Sequence, residues 1–427
     1  MNRFRFLLAG TACAAFAPAA VAQDFLPAAD RAHAAIAAWA EVRAADARVV
    51  EAREKARALA AGPHDTTLSL LPLRRSVRDA VPLGGRSSYG EWEAQLTRAI
   101  RLPGKAALDR ETGAHALAAA ELLQGDAEHQ AARELLVEWM GWLRAGMTAA
   151  TTLARSESLA RERDTIARRV QLGDAAQREL DQITAELAIA AAESRQADAA
   201  MQEQRLALHT NFPQIPLPER TPSLDEPVAF AETEQAWIDR IVERSHEIRA
   251  AEELAAQQET LAQRAHADRL PDPTVGVRTF SERDGMERGV GLMLNIPFGG
   301  TRRSAEARAQ DAAADTARSE ADAMRRDIER EARIGVARAG LALELWQAAR
   351  TARTANAASL ARQRRAWELG EIGLAERLQA ERLDAQSALA ELRARADAHE
   401  AHLRVLVDSH ELWHESDSTE GHAAHAM

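Results

Sequence analysis

Val290-Gly291-Leu292-Met293-Leu294-Asn295-Ile296 carries an aliphatic side chain at every second position, and Pro297-Phe298-Gly299-Gly300 stops the run before Thr301-Arg302 turns it basic. Period-two alternation is the pattern of a strand with one apolar face. An echo lies 196 residues earlier, where Leu96, Ile100 and Gly104 stand in the places of Leu292, Ile296 and Gly300. There Trp92, Ala94, Leu96, Arg98 and Ile100 fall on one side, and Glu93, Gln95 and Thr97 on the other. Upstream of each segment lies a weaker partner, Thr67 to Leu73 after Pro63 and Thr274 to Phe280 after Pro271-Asp272-Pro273. Two two-stranded hairpins are therefore predicted, connected through Arg74 to Tyr89 in the first and Ser281 to Gly289 in the second.

The echo extends over most of the chain. Glu41-Val42-Arg43-Ala44-Ala45-Asp46 returns as Glu247-Ile248-Arg249-Ala250-Ala251-Glu252, 206 residues on, and Gly173 returns as Gly370, 197 residues on. A period this long marks a duplicated unit of several elements rather than a solenoid repeat. The division predicted is a leader over 1–22, a first repeat over 23–210, a Pro-rich link over 211–227, a second repeat over 228–412 and a His-containing tail over 413–427.

Composition sets the fold class as mainly α with a small β part. Aromatic residues make up only 4% of the 427, and Gly and Pro gather at a few places, the profile of long helices. Between Gly104 and Gly173, and again between Gly300 and Gly370, about 70 residues run without proline at a helical spacing of Ala and Leu. The pattern resumes through Glu179 to Leu208 and Glu376 to Leu406. These segments read as long antiparallel coiled-coil α-hairpins with Gly173 and Gly370 near their tips, in an elongated rather than globular molecule.

The first 22 residues read as a signal peptide: Arg3 and Arg5, an apolar stretch from Phe6 to Ala20, and Ala20-Val21-Ala22 before Gln23. The single cysteine, Cys13, lies inside it, and Gly10-Thr11-Ala12 lacks the Leu of a lipoprotein signal, so lipidation is not expected. A mature chain without thiols excludes disulfides, thiolate metal sites and cysteine nucleophiles. No later stretch approaches the length of a transmembrane helix, so any membrane crossing must be a barrel. Four strands fall short of the roughly eight in the smallest barrels, so the barrel reading requires an oligomer. The competing reading, soluble hairpins packed on helices, draws on Arg98, since an Arg at the bilayer midplane costs about 2–4 kcal/mol but little near an interface.

The chain resembles the TolC-like outer-membrane factors, the exit ducts of tripartite efflux pumps and type I secretion systems. The resemblance is carried by Leu270-Pro271-Asp272-Pro273-Thr274-Val275-Gly276-Val277, by Val290 to Ile296 with Pro297-Phe298-Gly299-Gly300-Thr301-Arg302, and by Glu368-Leu369-Gly370-Glu371-Ile372-Gly373-Leu374 with Leu378-Gln379-Ala380. It implies a homotrimer in the outer membrane, four strands per subunit making a twelve-stranded barrel continued by a helical tunnel through the periplasm. Implied partners are outer-membrane lipid, a periplasmic adaptor protein and an inner-membrane pump of RND type. It implies no cofactor and no catalytic residue. In this family acidic residues shortly past the tip glycines constrict the tunnel. Glu179 and Glu376 occupy the sixth position after each glycine, and Gln182 and Gln379 the ninth, so Glu179 and Glu376 are gate candidates while the glutamines leave a second ring in question. The alternative is that both glutamates are solvated helix residues.

Six of the thirteen histidines lie in the last 29 residues: His399, His402, His410, His414, His422 and His425. Spacings of three and four would place His399 with His402, and His410 with His414, on shared helix faces. Imidazoles at that density bind copper, zinc or nickel, which points to the heavy-metal branch of the family and to His410, His414, His422 and His425 as candidate ligands. The opposing reading is a tail that merely tolerates His. There is no HExxH, nucleophile elbow or P-loop, and a net charge of −11 disfavours nucleic acid. Two rivals remain: a drug-efflux or secretion duct of the same fold, and an exported periplasmic adaptor or structural coiled coil.

Overall fold

The computed structural model describes residues 25–78 and 85–414. The signal-peptide reading, with Cys13, and the candidate ligands His422 and His425 lie outside the described residues. Among the described residues the chain forms eight α-helices and four β-strands. The first repeat runs α1 (Ala29–Ala37), α2 (Ala40–Ala61), β1 (Thr67–Arg78), β2 (Arg86–Ala99), α3 (Lys105–Gln171) and α4 (Gln177–Asn211). The second runs α5 (Glu234–Arg244), α6 (His246–Ala267), β3 (Thr274–Glu282), β4 (Glu287–Asn295), α7 (Thr301–Glu368) and α8 (Leu374–Asp408). Helices α2 and α6 start 206 residues apart, α3 and α7 start 196 apart, and α4 and α8 start 197 apart. These are the three offsets of the sequence echo. No helix among the described residues is long and apolar enough to cross a membrane.

The long helices span the molecule. At 1.5 Å per residue, the 67 residues of α3 and the 68 of α7 each extend about 100 Å. Each changes partners along its length. Over its first third α3 packs on α2 and α6, where Gly113 lets Ala56 approach so closely that an added Cβ would sit 2.9 Å from its backbone. Farther on α3 packs on α4 and α8. Helix α7 buries Ala307, Ala314, Ala321 and Ile328, a seven-residue spacing of mostly small side chains that brings helix axes close in coiled-coil fashion. The partner exchange on α3 coincides with the main apolar core, where Leu135, Leu136, Trp139, Met140, Trp142 and Leu143 meet α1, α8 and the segment between α4 and α5. That segment lies across α3 and α8. Phe212 stacks on Trp39 at 4.7 Å, Thr221 fills the place where Gly146 lacks a Cβ, and Arg395 donates to Leu224 O.

The strands form one antiparallel sheet in the order β1-β2-β3-β4. Register places Leu68, Leu96, Val277 and Leu292 in a single cross-strand row, and Leu70, Ala94, Thr279 and Val290 in the row two residues away. Both hairpins differ from their sequence reading: β3 continues to Glu282 and β4 begins at Glu287, so residues 281–282 and 287–289, read as connection, are paired strand. β1 continues to Arg78 and β2 begins at Arg86, so residues 74–78 and 86–89, read as connection, are paired strand. The run Arg74-Arg75-Ser76-Val77-Arg78 looks like a polar turn, but Arg75 has an ionic partner in Glu91, 2.7 Å away on β2.

Candidate functional site

Three regions carry chemistry: the sheet faces, the joint between sheet and helices, and the helix tips. On one sheet face the apolar side chains have no cover from their own chain. Leu292 is 89% exposed, Val290 77% and Leu294 65%. Soluble monomers rarely leave so contiguous an apolar surface bare. The other face is mixed: Arg278 reaches Glu93 at 2.8 Å and Arg75 reaches Glu91, beside exposed Leu71 and Leu73 of β1. Arg98 belongs to the apolar face, but it pairs with Val275 one residue before β2 ends and the helical body begins. Its row is therefore at the helix-side rim of the sheet. β1 and β4 are left as open edges.

The joint is built by Lys105 and Asp272. Lys105 is 1% exposed, with Nζ 2.8 Å from Asp272 and 2.9 Å from Asp268, and it donates to Leu270 O. Asp272 also accepts from the N–H of Leu102 and faces His64 Nε2 at 2.8 Å. Burial alone would raise the Asp272 carboxyl, but His64, Lys105 and the Leu102 N–H bring it down to about 2. One carboxylate thus ties together the chain leaving α2, the chain entering α3 and the chain entering β3. Pro271-Asp272-Pro273 was legible as a break before a strand, and Lys105 carried no sequence signal beyond being a cation after Gly104.

At the tips, α3 and α7 each end in the same hydrogen-bonded turn. Gly173 has φ of 80° and Gly370 of 75°. In each turn the glycine N–H donates three residues back, and the following N–H (Asp174 or Glu371) donates five residues back. This is the left-handed helix terminator in which glycine avoids the Cβ penalty. Past these turns Glu179 and Gln182 are half-buried, whereas Glu376 and Gln379 are exposed. The two hairpins of the chain are joined above the tips by Arg377. It is 5% exposed, bonds Glu162 of α3, and lies 4.2 Å over the Trp367 ring. Arg382 of α8 stands 3.7 Å from Glu186 of α4, which Arg155 also holds. Ile183, Leu159, Leu374 and Leu378 pack between them. Arg377 follows Glu376 directly, and sequence reading passed over it because its partner is 215 residues away.

The histidines divide. His399 and His402 share a face of α8, as their spacing predicts, but packing uses them: His399 faces Asp225 O at 2.9 Å and Phe25 edge-on, and His402 stacks on Phe230 at 4.4 Å. His410 and His414 are not on a helix, because α8 ends at Asp408. The turn beyond it nonetheless stacks the two rings at 4.2 Å, and His246 of α6 joins them.

No family model and no curated protein matches the chain in sequence. Solved structures do match it. The CmeC outer membrane channel of Campylobacter jejuni superposes with a TM-score of 0.76 at 14% identity, covering 98% of this chain and 96% of that one. The chain has the TolC-like fold. The same fold is seen in the open state of the MtrE outer membrane channel of Neisseria gonorrhoeae, with a TM-score of 0.65 at 16% identity over 89% of this chain and 88% of that one. It is also seen in CusC, a protein described in terms of transmembrane channel formation, with a TM-score of 0.63 at 14% identity over 89% and 91%.

Proposed function

We propose that this protein is the outer-membrane exit duct of a tripartite efflux system, a passive channel gated at the helix tips. The observation carrying this reading is the four-stranded sheet with one bare apolar face, an opposite face that carries the Arg–Glu pairs, and two open edges. Three copies would join β1 to β4 into twelve strands, remove every edge, and turn the apolar rows toward lipid. Arg98 would then sit at the periplasmic interface, where its cost is small. The partner exchange along α3 supports a matching tunnel: α2, α3, α6 and α7 on the sheet side and α3, α4, α7 and α8 on the tip side give four helices per chain at each level, hence twelve in a trimer.

Gating would use the tips. Moving the α7/α8 hairpin away from α3/α4 must break the Arg377–Glu162 contact and uncover Leu374 and Leu378, so a docked periplasmic adaptor would have to supply that free energy. Glu179 and Glu376 would line the entrance as two carboxylate rings, concentrating cations and repelling anions, with Gln182 and Gln379 as neutral neighbours. Energy would come from an inner-membrane pump. The cargo we assign is metal cations, on the strength of those carboxylates. A drug-efflux or secretion duct is the competing reading within the same fold. Growth of a deletion strain, alone and complemented, across silver, copper, zinc, cobalt, cadmium and hydrophobic drugs separates them. Sensitivity confined to metals supports the assignment, sensitivity to drugs alone replaces metal with drug cargo, and no sensitivity to either removes the efflux role.

A further inference from the structure

We propose that His246, His410 and His414 form a resident binding site for a divalent transition-metal ion, clasping the turn after α8 to the start of α6 midway along the tunnel wall. One ring nitrogen from each lies within 4.8 Å of the others. Nε2 of His246 and Nε2 of His414 are 3.2 Å apart. Two nitrogens bound to one tetrahedral zinc at the usual Zn–N distance stand about 3.3 Å apart; the pair here shares a hydrogen bond and the three rings stack, so an ion would replace that bond and turn the rings until their in-plane lone pairs converge. His410 and His414 belong to the turn after α8, and 164 residues separate His246 from His410.

The backbone gives a second, independent indication. Three long helices, α3, α7 and α8, end in the same turn: the residue in the left-handed position donates three back and its successor five back. Glycine fills that position twice, at Gly173 and Gly370. In the third it is His410, at φ 59°. A side chain there costs on the order of 1 kcal/mol relative to glycine. Such strain persists where the side chain has a task, and the His410 ring is what this turn delivers against His246 and His414. Trp413, at φ 56°, is a second strained residue in the same turn.

The surroundings suit a cation bound by neutral imidazole. Gly125 of α3 makes room for the His246 ring, since an added Cβ would sit 3.0 Å from its Cε1 and Nε2. A cavity of about 120 Å³ opens beside His414, lined also by His33, Glu128 and His129. Nε2 of His33 is buried there without a hydrogen-bond partner. Three imidazoles with a nearby fourth select the zinc, copper(II), nickel and cobalt class over magnesium or calcium.

The site does not depend on the exported cargo, and its test involves no transport. The purified full-length mature protein in detergent is titrated with zinc alone, following heat and melting temperature, with EDTA added afterwards. The expected result is one zinc per chain and a rise in melting temperature that EDTA reverses. His410→Gly is expected to lose both while melting, in EDTA, no lower than the parent, because glycine relieves the strained position. His246→Ala is expected to lose them too, and a chain with both His422→Ala and His425→Ala to keep them. Absence of zinc binding in the parent overturns the proposal. So does binding that His410→Gly leaves intact, or binding that disappears with the two tail histidines.

Discussion

At the scale of single residues, the molecule depends on a few side chains that bridge distant segments. Asp272 is the clearest, holding Leu102, Lys105 and His64 at the joint between sheet and helices. Its carboxyl is depressed from 3.8 to about 2, so it contributes stability that is fully present above about pH 4 and is lost as pH falls toward 2. The shift corresponds to about 2 kcal/mol. Denaturant unfolding measured from pH 5 to pH 2 is expected to show that loss, and Asp272→Asn to show a smaller decline over the same window. An unchanged decline in the variant would remove Asp272 from the account. Little of this was readable beforehand. The sequence displays Pro271-Asp272-Pro273 as an extended break, but a carboxylate's partners 167 to 208 residues away leave no local trace. The same holds for His246 beside His410, and for Arg377 beside Glu162. His410 could be foreseen as part of a cluster, yet not as the residue in a left-handed turn, because nothing in Val405 to Ser409 announces that α8 stops at Asp408.

The elements themselves were largely legible, since each rests on local periodicity. Strands β3 and β4 and all four long helices follow alternation of two or helical spacing, and glycines at 173 and 370 mark the turns that end α3 and α7. The element most misread is the far half of the first hairpin, where Arg74, Arg75 and Arg78 suggest a solvated loop and instead continue β1. Charge on that face is compatible with a strand when Glu91 and Glu282 lie opposite. In the proposed gating, the element whose state matters most is the α7/α8 hairpin, fastened to α3/α4 by Arg377. Arg377→Ala is expected to loosen that fastening and to raise single-channel conductance in planar bilayers, with Trp367→Ala acting in the same direction more weakly. Conductance no higher than that of the parent would show that the gate lies elsewhere. Restoring a contact through Glu162→Arg with Arg377→Glu is expected to return conductance toward the parental value.

At the scale of the whole molecule, the proposed duct requires more than one copy. Leu292, Val290 and Leu294 stand bare on the sheet, β1 and β4 each keep one open edge, and the α3/α4 and α7/α8 hairpins pack side by side. The duplication in the sequence already implied two equivalent halves, and the strand count implied an oligomer, but the helix exchange that yields four helices per level appears only when α3 and α7 are traced end to end. If the apolar rows face lipid, Leu292→Arg places a charge in mid-strand at a cost of about 2–4 kcal/mol. It is expected to deplete the protein from outer-membrane fractions, whereas Arg98→Leu at the rim is expected to leave assembly unchanged. Equal tolerance of both would argue for a soluble sheet. The most direct measurement is native mass spectrometry of the protein extracted from membranes. A trimeric barrel is expected only with detergent and at the mass of three mature chains; a single chain released into aqueous buffer without detergent would rule the barrel out.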